Sequence, residues 1–136
     1  MVPDFVSDHR YVRDLIKYLR SDKYTAFEKG LKAAPNLIRS KASFGTELSS
    51  QAYDLASIII GLQDNYDMDN FQEMRQAALV SLVASAPQET VSCCVNLYFT
   101  GDISLQQRCI ILSALAIGAR ELAELEKVVR HPLPKC

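Results

Sequence analysis

The stretch "SLQQRCIILSALAIGAREL", residues 104–122, decides the architecture. From Cys109 to Ala119 its one polar side chain is Ser113. A helix through it is apolar on nearly every side. Such a helix belongs at the centre of a compact bundle or between two layers of a stack of helix pairs. It is the last long helical segment of the chain. In a stack, no further layer follows it within these residues, and one apolar face stays open. An open patch of that kind marks a contact with more protein.

The segments before it read as helix after helix. "YVRDLIKYLRS", residues 11–21, sets Val12, Leu15, Ile16 and Leu19 on one helical face, with Asp8 able to cap its start. "DKYTAFEKGLKAA", residues 22–34, does the same with Tyr24, Phe27 and Leu31, and Asp22 is its expected N-cap. Pro35 is expected to close that helix and to open a short one through "PNLIRSK". In residues 44–64, Leu48, Ala52, Leu55, Ile59 and Leu62 line a face, and Ile58, Ile59 and Ile60 wrap beyond it, so burial on several sides is expected. "NYDMDN", residues 65–70, is an acidic loop.

Asn70, three residues before Glu73, gives the next helix a start like a capping box. Pro87 opens the helix "PQETVSCCVNLYF" at a position where a missing N–H costs nothing. Ser104 or Asp102 caps the long final helix, expected to run to about Leu125 before the proline-broken "RHPLPKC". No segment alternates in a β pattern with hairpin turns. Short connections make consecutive helices antiparallel neighbours. The fold class is therefore all-α, with about six to seven helices whose lengths suit stacked antiparallel pairs.

Composition sets few limits. The chain has 136 residues, 49% apolar and 23% charged, with net charge −1, which suits one globular domain. Charge is uneven. Residues 1–41 hold nine Lys/Arg against five Asp/Glu, residues 42–102 one against eight, and residues 103–136 five against three. Solvated helix faces explain the pattern; an acidic middle surface meeting a basic partner is the sharper reading. "MVPDFVSDHR" carries charge early and lacks an apolar core, so no secretory signal is expected. No apolar run is long enough for a membrane span. Cys93, Cys94, Cys109 and Cys136 show no framework spacing, as suits reduced thiols in cytosol or nucleus.

Chemistry-bearing patterns are sparse, and no enzyme activity and no cofactor are expected. The histidines, His9 and His131, fall in end segments. Adjacent Cys93 and Cys94 point about 100° apart on a helix, unsuited to zinc, and no cation lies near to activate them. A calcium loop begun at Asn65 or Asp67 lacks glycine at its sixth position and glutamate at its twelfth. Arg75 is the one cation of residues 42–102 and sits among apolar neighbours; it is a candidate structural group, bridging carboxylates or helix-terminal carbonyls. Arg13, Lys17 and Arg20, interleaved with tyrosines, form a candidate basic face. Gln106, Gln107 and Arg108, with Arg120 and Glu121, are candidate protein-contact residues of the final helix; the alternative for the Q-Q-R run is a solvated first turn.

The strings "YVRDLIKYL", "FEKGLKAAPNLIRSKASFGTEL", "NFQEMRQAALVSLV" and "GDISLQQRCIILSALAIGARELA" follow one another in this order. Together they resemble the shared domain of the telomere length regulation protein family, particularly its fungal members, over about residues 10–124. The resemblance implies an α-solenoid of HEAT-like stacked antiparallel helix pairs and a piece of a longer scaffold without catalysis: the end of a flexible linker in residues 1–9, the helical-repeat domain in 10–126 and a tail in 127–136. It implies two partner scaffold proteins in a ternary co-chaperone complex, located in cytoplasm and nucleus. That complex supports maturation and stability of phosphatidylinositol 3-kinase-related kinases, and hence telomere maintenance and DNA-damage signalling. A heat-shock chaperone and its adaptor would take part through an acidic, phosphorylated linker. Here Ser7-Asp8 is no acidic cluster, so that docking is expected to be absent. Telomeric DNA binding through the basic first helices is the alternative implied.

Overall fold

The computed structural model describes residues 11–42 and 45–130. They form six α-helices: α1 Val12–Leu19, α2 Tyr24–Lys41, α3 Glu47–Gly61, α4 Phe71–Ser85, α5 Pro87–Thr100 and α6 Leu105–Arg130. No strand occurs among the described residues.

Each helix packs on the one two places along the chain. α1 lies on α3 and α3 on α5; α2 lies on α4 and α4 on α6. Successive helices also touch, α1 with α2, α3 with α4 and α5 with α6. The result is two parallel rows of helices, α1–α3–α5 and α2–α4–α6, stacked pair upon pair. This is a solenoid-like, all-α architecture, built from the helices the periodicity marks and arranged as the resemblance implies.

The core lies between the rows. Val12, Leu15 and Leu19 of α1, Phe27, Leu31, Ala34 and Ile38 of α2, and Leu48, Leu55, Ile59 and Ile60 of α3 are buried in it. α4 is buried without a break from Ala78 to Val83, because helices flank it on several sides. Two glycines set the approach of neighbours. A Cβ on Gly30 would come 2.8 Å from the Tyr18 Cβ, and one on Gly118 would come 2.8 Å from the Val83 Cβ. The α1–α2 and α4–α6 contacts are therefore backbone-close.

Three local expectations are corrected. Pro35 does not end a helix; α2 runs through it for 18 residues. An interior proline costs a helix about 3 kcal/mol. The buried side of α2 continues across it through Leu31, Ala34 and Ile38, all fully buried, and that packing prevails. Asn70 makes no side-chain cap; its backbone is left-handed, at φ 63°. A capping side chain needs an extended N-cap residue. The loop is instead tied by Asp64, whose carboxylate accepts the Met68 N–H at 2.8 Å. Asp22 lies ahead of α2, but the N-cap is Lys23, which makes no side-chain cap.

α6 extends to Arg130, past the expected end near Leu125 and into the expected tail. Asp8, His9, His131, Cys136, the linker end 1–9 and the last six residues of the tail lie outside the described residues.

Candidate protein-interaction face

The apolar helix of residues 105–130 is buried along one narrow stripe. Ile110, Ile111, Ala114 and Gly118 point into the core, spaced as one helical face. The opposite side is uncovered. Leu105 is 76% exposed and Leu112 52%, with Cys109, Ala116 and Ala119 exposed beside them. On the adjoining helix α5, Val91, Val95 and Phe99 recur every four residues and are also exposed, Phe99 to 76%. α5 and α6 make the last pair of the stack; within the described residues nothing packs beyond them. α6 is thus an edge layer, not the centre of a bundle.

The polar residues singled out on α6 have different places. Ser104 and Gln107 form a reciprocal capping box: the Ser104 N–H donates to Gln107 Oε1 at 2.8 Å, and the Gln107 N–H donates to Ser104 Oγ at 3.1 Å. Gln107 Nε2 also donates to the Ile60 carbonyl at 2.9 Å, at the end of α3. Gln106 is exposed. Arg108 is half-buried, with its guanidinium 5.9 Å from the Tyr98 ring centre. Arg120 is exposed on the side of the open face.

Glu121 forms an ion pair with Arg39 of α2, including Arg39 Nη2 to Glu121 Oε1 at 3.1 Å. The hydrogen bond raises the Arg39 pKa and lowers that of Glu121. The pair joins the first row partner to the last across α4. Sequence reading had no signal for it, since 82 residues separate the two.

Arg75 lies almost wholly buried, between α3 and α4. It donates to the Leu62 carbonyl, at the C-terminal end of α3, and to Gln72 Oε1, both at 2.6 Å. Its contact is thus a helix-terminal carbonyl rather than a carboxylate. Burial lowers its pKa, and the charge of Asp64 partly opposes that. Beside it opens a polar cavity of about 330 Å³, lined among others by Asp64, Gln72, Ser104, Gln106 and Gln107. Arg75 and Gln107 together satisfy the end of α3, where carbonyls lack helical partners.

Arg13, Lys17 and Arg20 are all exposed, along one side of α1. The Arg13 guanidinium lies 4.8 Å and the Lys41 ammonium 5.7 Å from the centre of the exposed Tyr11 ring. Cys93 and Cys94 are buried, and burial pushes their thiols up to about 11 and about 12. Such thiols are neutral and poor nucleophiles at ordinary pH. Among the described residues no three His, Cys, Asp or Glu side chains gather to hold a metal ion. No described helix is long and apolar enough to cross a membrane.

Residues 9–119 match the family model described as telomere length regulation protein. The DNA replication checkpoint protein tel2 of Schizosaccharomyces pombe is 38% identical over 113 residues, 80% of this chain and 13% of that protein. The telomere length regulation protein TEL2 of Saccharomyces cerevisiae is 40% identical over 96 residues, 71% of this chain and 14% of that protein. The TEL2 homolog of Homo sapiens is 28% identical over 125 residues, 91% of this chain and 15% of that protein. The chain therefore spans 13% to 15% of the length of these relatives. No solved structure matches it.

Proposed function

The chain belongs to the telomere length regulation protein family, and on that premise we propose that it is a non-catalytic interaction module of a kinase-maturation scaffold. Its role is to bind other proteins by helix ridges. With two partner scaffold proteins it contributes to a ternary co-chaperone complex in cytoplasm and nucleus. That complex supports maturation and stability of phosphatidylinositol 3-kinase-related kinases. A heat-shock chaperone and its adaptor act through it, docking on sequence other than the described residues. Telomere maintenance and checkpoint signalling follow from the kinases served.

One observation carries the reading: the helices form a one-dimensional array whose last pair leaves apolar side chains uncovered on both of its helices. Arrays of this kind work through extended surfaces rather than enclosed pockets. The names of the relatives, a replication checkpoint protein and telomere length regulators, suit a regulatory scaffold. The test is co-purification. A full-length fungal relative carrying Leu112→Glu and Phe99→Glu at the matching positions is expected to lose its partner proteins and to lower kinase abundance. Undiminished partner recovery would move the interface off this face.

A second reading has its own observation. Arg13, Lys17 and Arg20 line one exposed side, and Arg13 and Lys41 flank the Tyr11 ring, a basic and aromatic combination suited to nucleic acid. It predicts an affinity for telomeric DNA that falls steeply with salt. Charge reversal at Arg13, Lys17 and Arg20 should abolish such binding; indifference to reversal would eliminate the reading.

A further inference from the structure

A buried cation is costly unless its charge and its N–H groups are answered. Arg75 is 3% exposed and carries five N–H donors. Nη1 donates to the Leu62 carbonyl and Nη2 to Gln72 Oε1. The Phe71 ring centre lies 5.0 Å from the guanidinium carbon. All three neighbours are uncharged. Nε is buried, and no acceptor among the described residues meets its N–H. The charge therefore rests on neutral partners, with one buried donor left over.

The cavity of about 330 Å³ beside it has both buried and exposed walls. Leu62, Phe71 and Arg75 are buried; Asp64, Gln72 and Gln106 are exposed. It thus leads from the surface down to the guanidinium. The space far exceeds the roughly 30 Å³ of one water, and admits an acidic group with the carbon stem that carries it. Arg75 is the one cation of its lining, so a ligand that answers it is an anion. Asp64 is the one acid of the lining. Its oxygens accept the Met68 N–H at 2.8 and 3.1 Å, which holds the carboxylate to its own loop. Its charge opposes an incoming anion, and a dianion twice as strongly as a monoanion. A carboxylate brings a single negative charge, and its planar pair of oxygens matches a guanidinium edge. Gln72 and Gln106 carry amide N–H groups able to donate to its second oxygen.

From this arrangement we propose that the cavity is a carboxylate-binding site, with Arg75 Nε donating to the bound anion. Its lining comes from the loop after α3, the start of α4 and the start of α6, so the ligand touches two successive helix pairs. The site is separate from the uncovered side of α5 and α6 and does not rest on the reading given to that face. An acidic side chain of a bound polypeptide and a free organic acid present the same group, and the test separates them.

The readout is the Arg75 Nε–H signal in heteronuclear NMR spectra of the 136-residue chain at neutral pH. Sodium acetate is titrated against sodium chloride of equal ionic strength. Acetate is expected to move the signal downfield along a saturating curve, and chloride to leave it in place. Phosphate, largely a dianion, should bind more weakly than acetate. Asp64→Asn removes the opposing charge and keeps an oxygen for the Met68 N–H. It should tighten acetate binding roughly two- to tenfold. Gln106→Glu adds an acid at the mouth and should weaken binding by a similar factor. Both changes lie on exposed residues and leave the buried guanidinium in place. No saturable shift with acetate, or an affinity indifferent to Asp64→Asn, overturns the proposal and leaves Arg75 as a clamp on the end of α3. Phosphate binding tighter than acetate overturns the choice of a carboxylate. A peptide with one glutamate among glycines, set against its glutamine counterpart, identifies the source. Glutamate-peptide binding tighter than acetate assigns the site to a polypeptide side chain, and weaker binding to a free acid. An equal response to both peptides overturns carboxylate recognition.

Discussion

Gln107 is bonded at both ends of its amide, to Ser104 behind it and to the Ile60 carbonyl across the interface. A residue serving only as a partner contact would leave stability unchanged when truncated. Gln107→Ala is instead expected to cost about 1–2 kcal/mol, from a lost cap and an orphaned carbonyl; urea melts measure it. Gln106→Ala, on an exposed neighbour, should leave the midpoint where it was. The buried thiols give a second expectation. Burial raises Cys93 and Cys94 above the ordinary value of 9.0, to about 11 and about 12. The folded state thus favours the protonated thiols. That contribution is complete below pH 9 and is lost as pH rises through about 11 to 12. Stability should therefore fall above pH 9, and Cys93→Ala with Cys94→Ala should flatten the decline. Sequence placed both cysteines in an apolar pattern and so foretold inert thiols. It left open whether Arg75 meets a carboxylate or a carbonyl, because Leu62 comes within reach only when the loop of residues 63–70 folds back. The Gln107 bond to Ile60 spans 47 residues and has no local signature.

Helix by helix, the periodic apolar positions were sufficient for every element, because each helix buries one stripe and spacing reveals a stripe. Boundaries were harder. Pro35 carries a strong local stop signal, and the burial of Leu31, Ala34 and Ile38 overrides it. Asn70 carries a strong local start signal, and its left-handed backbone withdraws the side chain. Contacts between helices were not visible in the letters. Gly118 could be read as a weak point in α6, yet its role is to admit Val83 of α4. Gly118→Ala gains helix propensity of about 1 kcal/mol. Against that, the new methyl must displace a β-branched side chain in a packed interface, at about 1–3 kcal/mol. Net destabilisation is expected, read from thermal melts. Val83→Ala makes room for the methyl, so the double variant should lose less than the two single losses added together. Strict additivity would show that the two residues do not touch.

In the whole molecule, a stack and a globule of the same helices differ in how stability is distributed. α3 and α4 have neighbours before and after them in their rows, whereas α1, α2, α5 and α6 each lack one. The Arg39–Glu121 pair bonds the outer helices α2 and α6; both side chains are well exposed, and such pairs contribute at most about 1 kcal/mol. It is too weak to turn the array into one uniform unit. Native-state hydrogen exchange separates the two cases. In this chain the slowest amides are expected in α4 from Ala78 to Val83, where burial is continuous. Amides of α1 and of α6 beyond Gly118 should exchange at least roughly tenfold faster, through openings that leave the middle folded. Protection of equal size in all six helices would mean global unfolding governs exchange everywhere. The helices would then form one cooperative globule, and the apolar side of α6 would be an isolated surface feature instead of the end of an array.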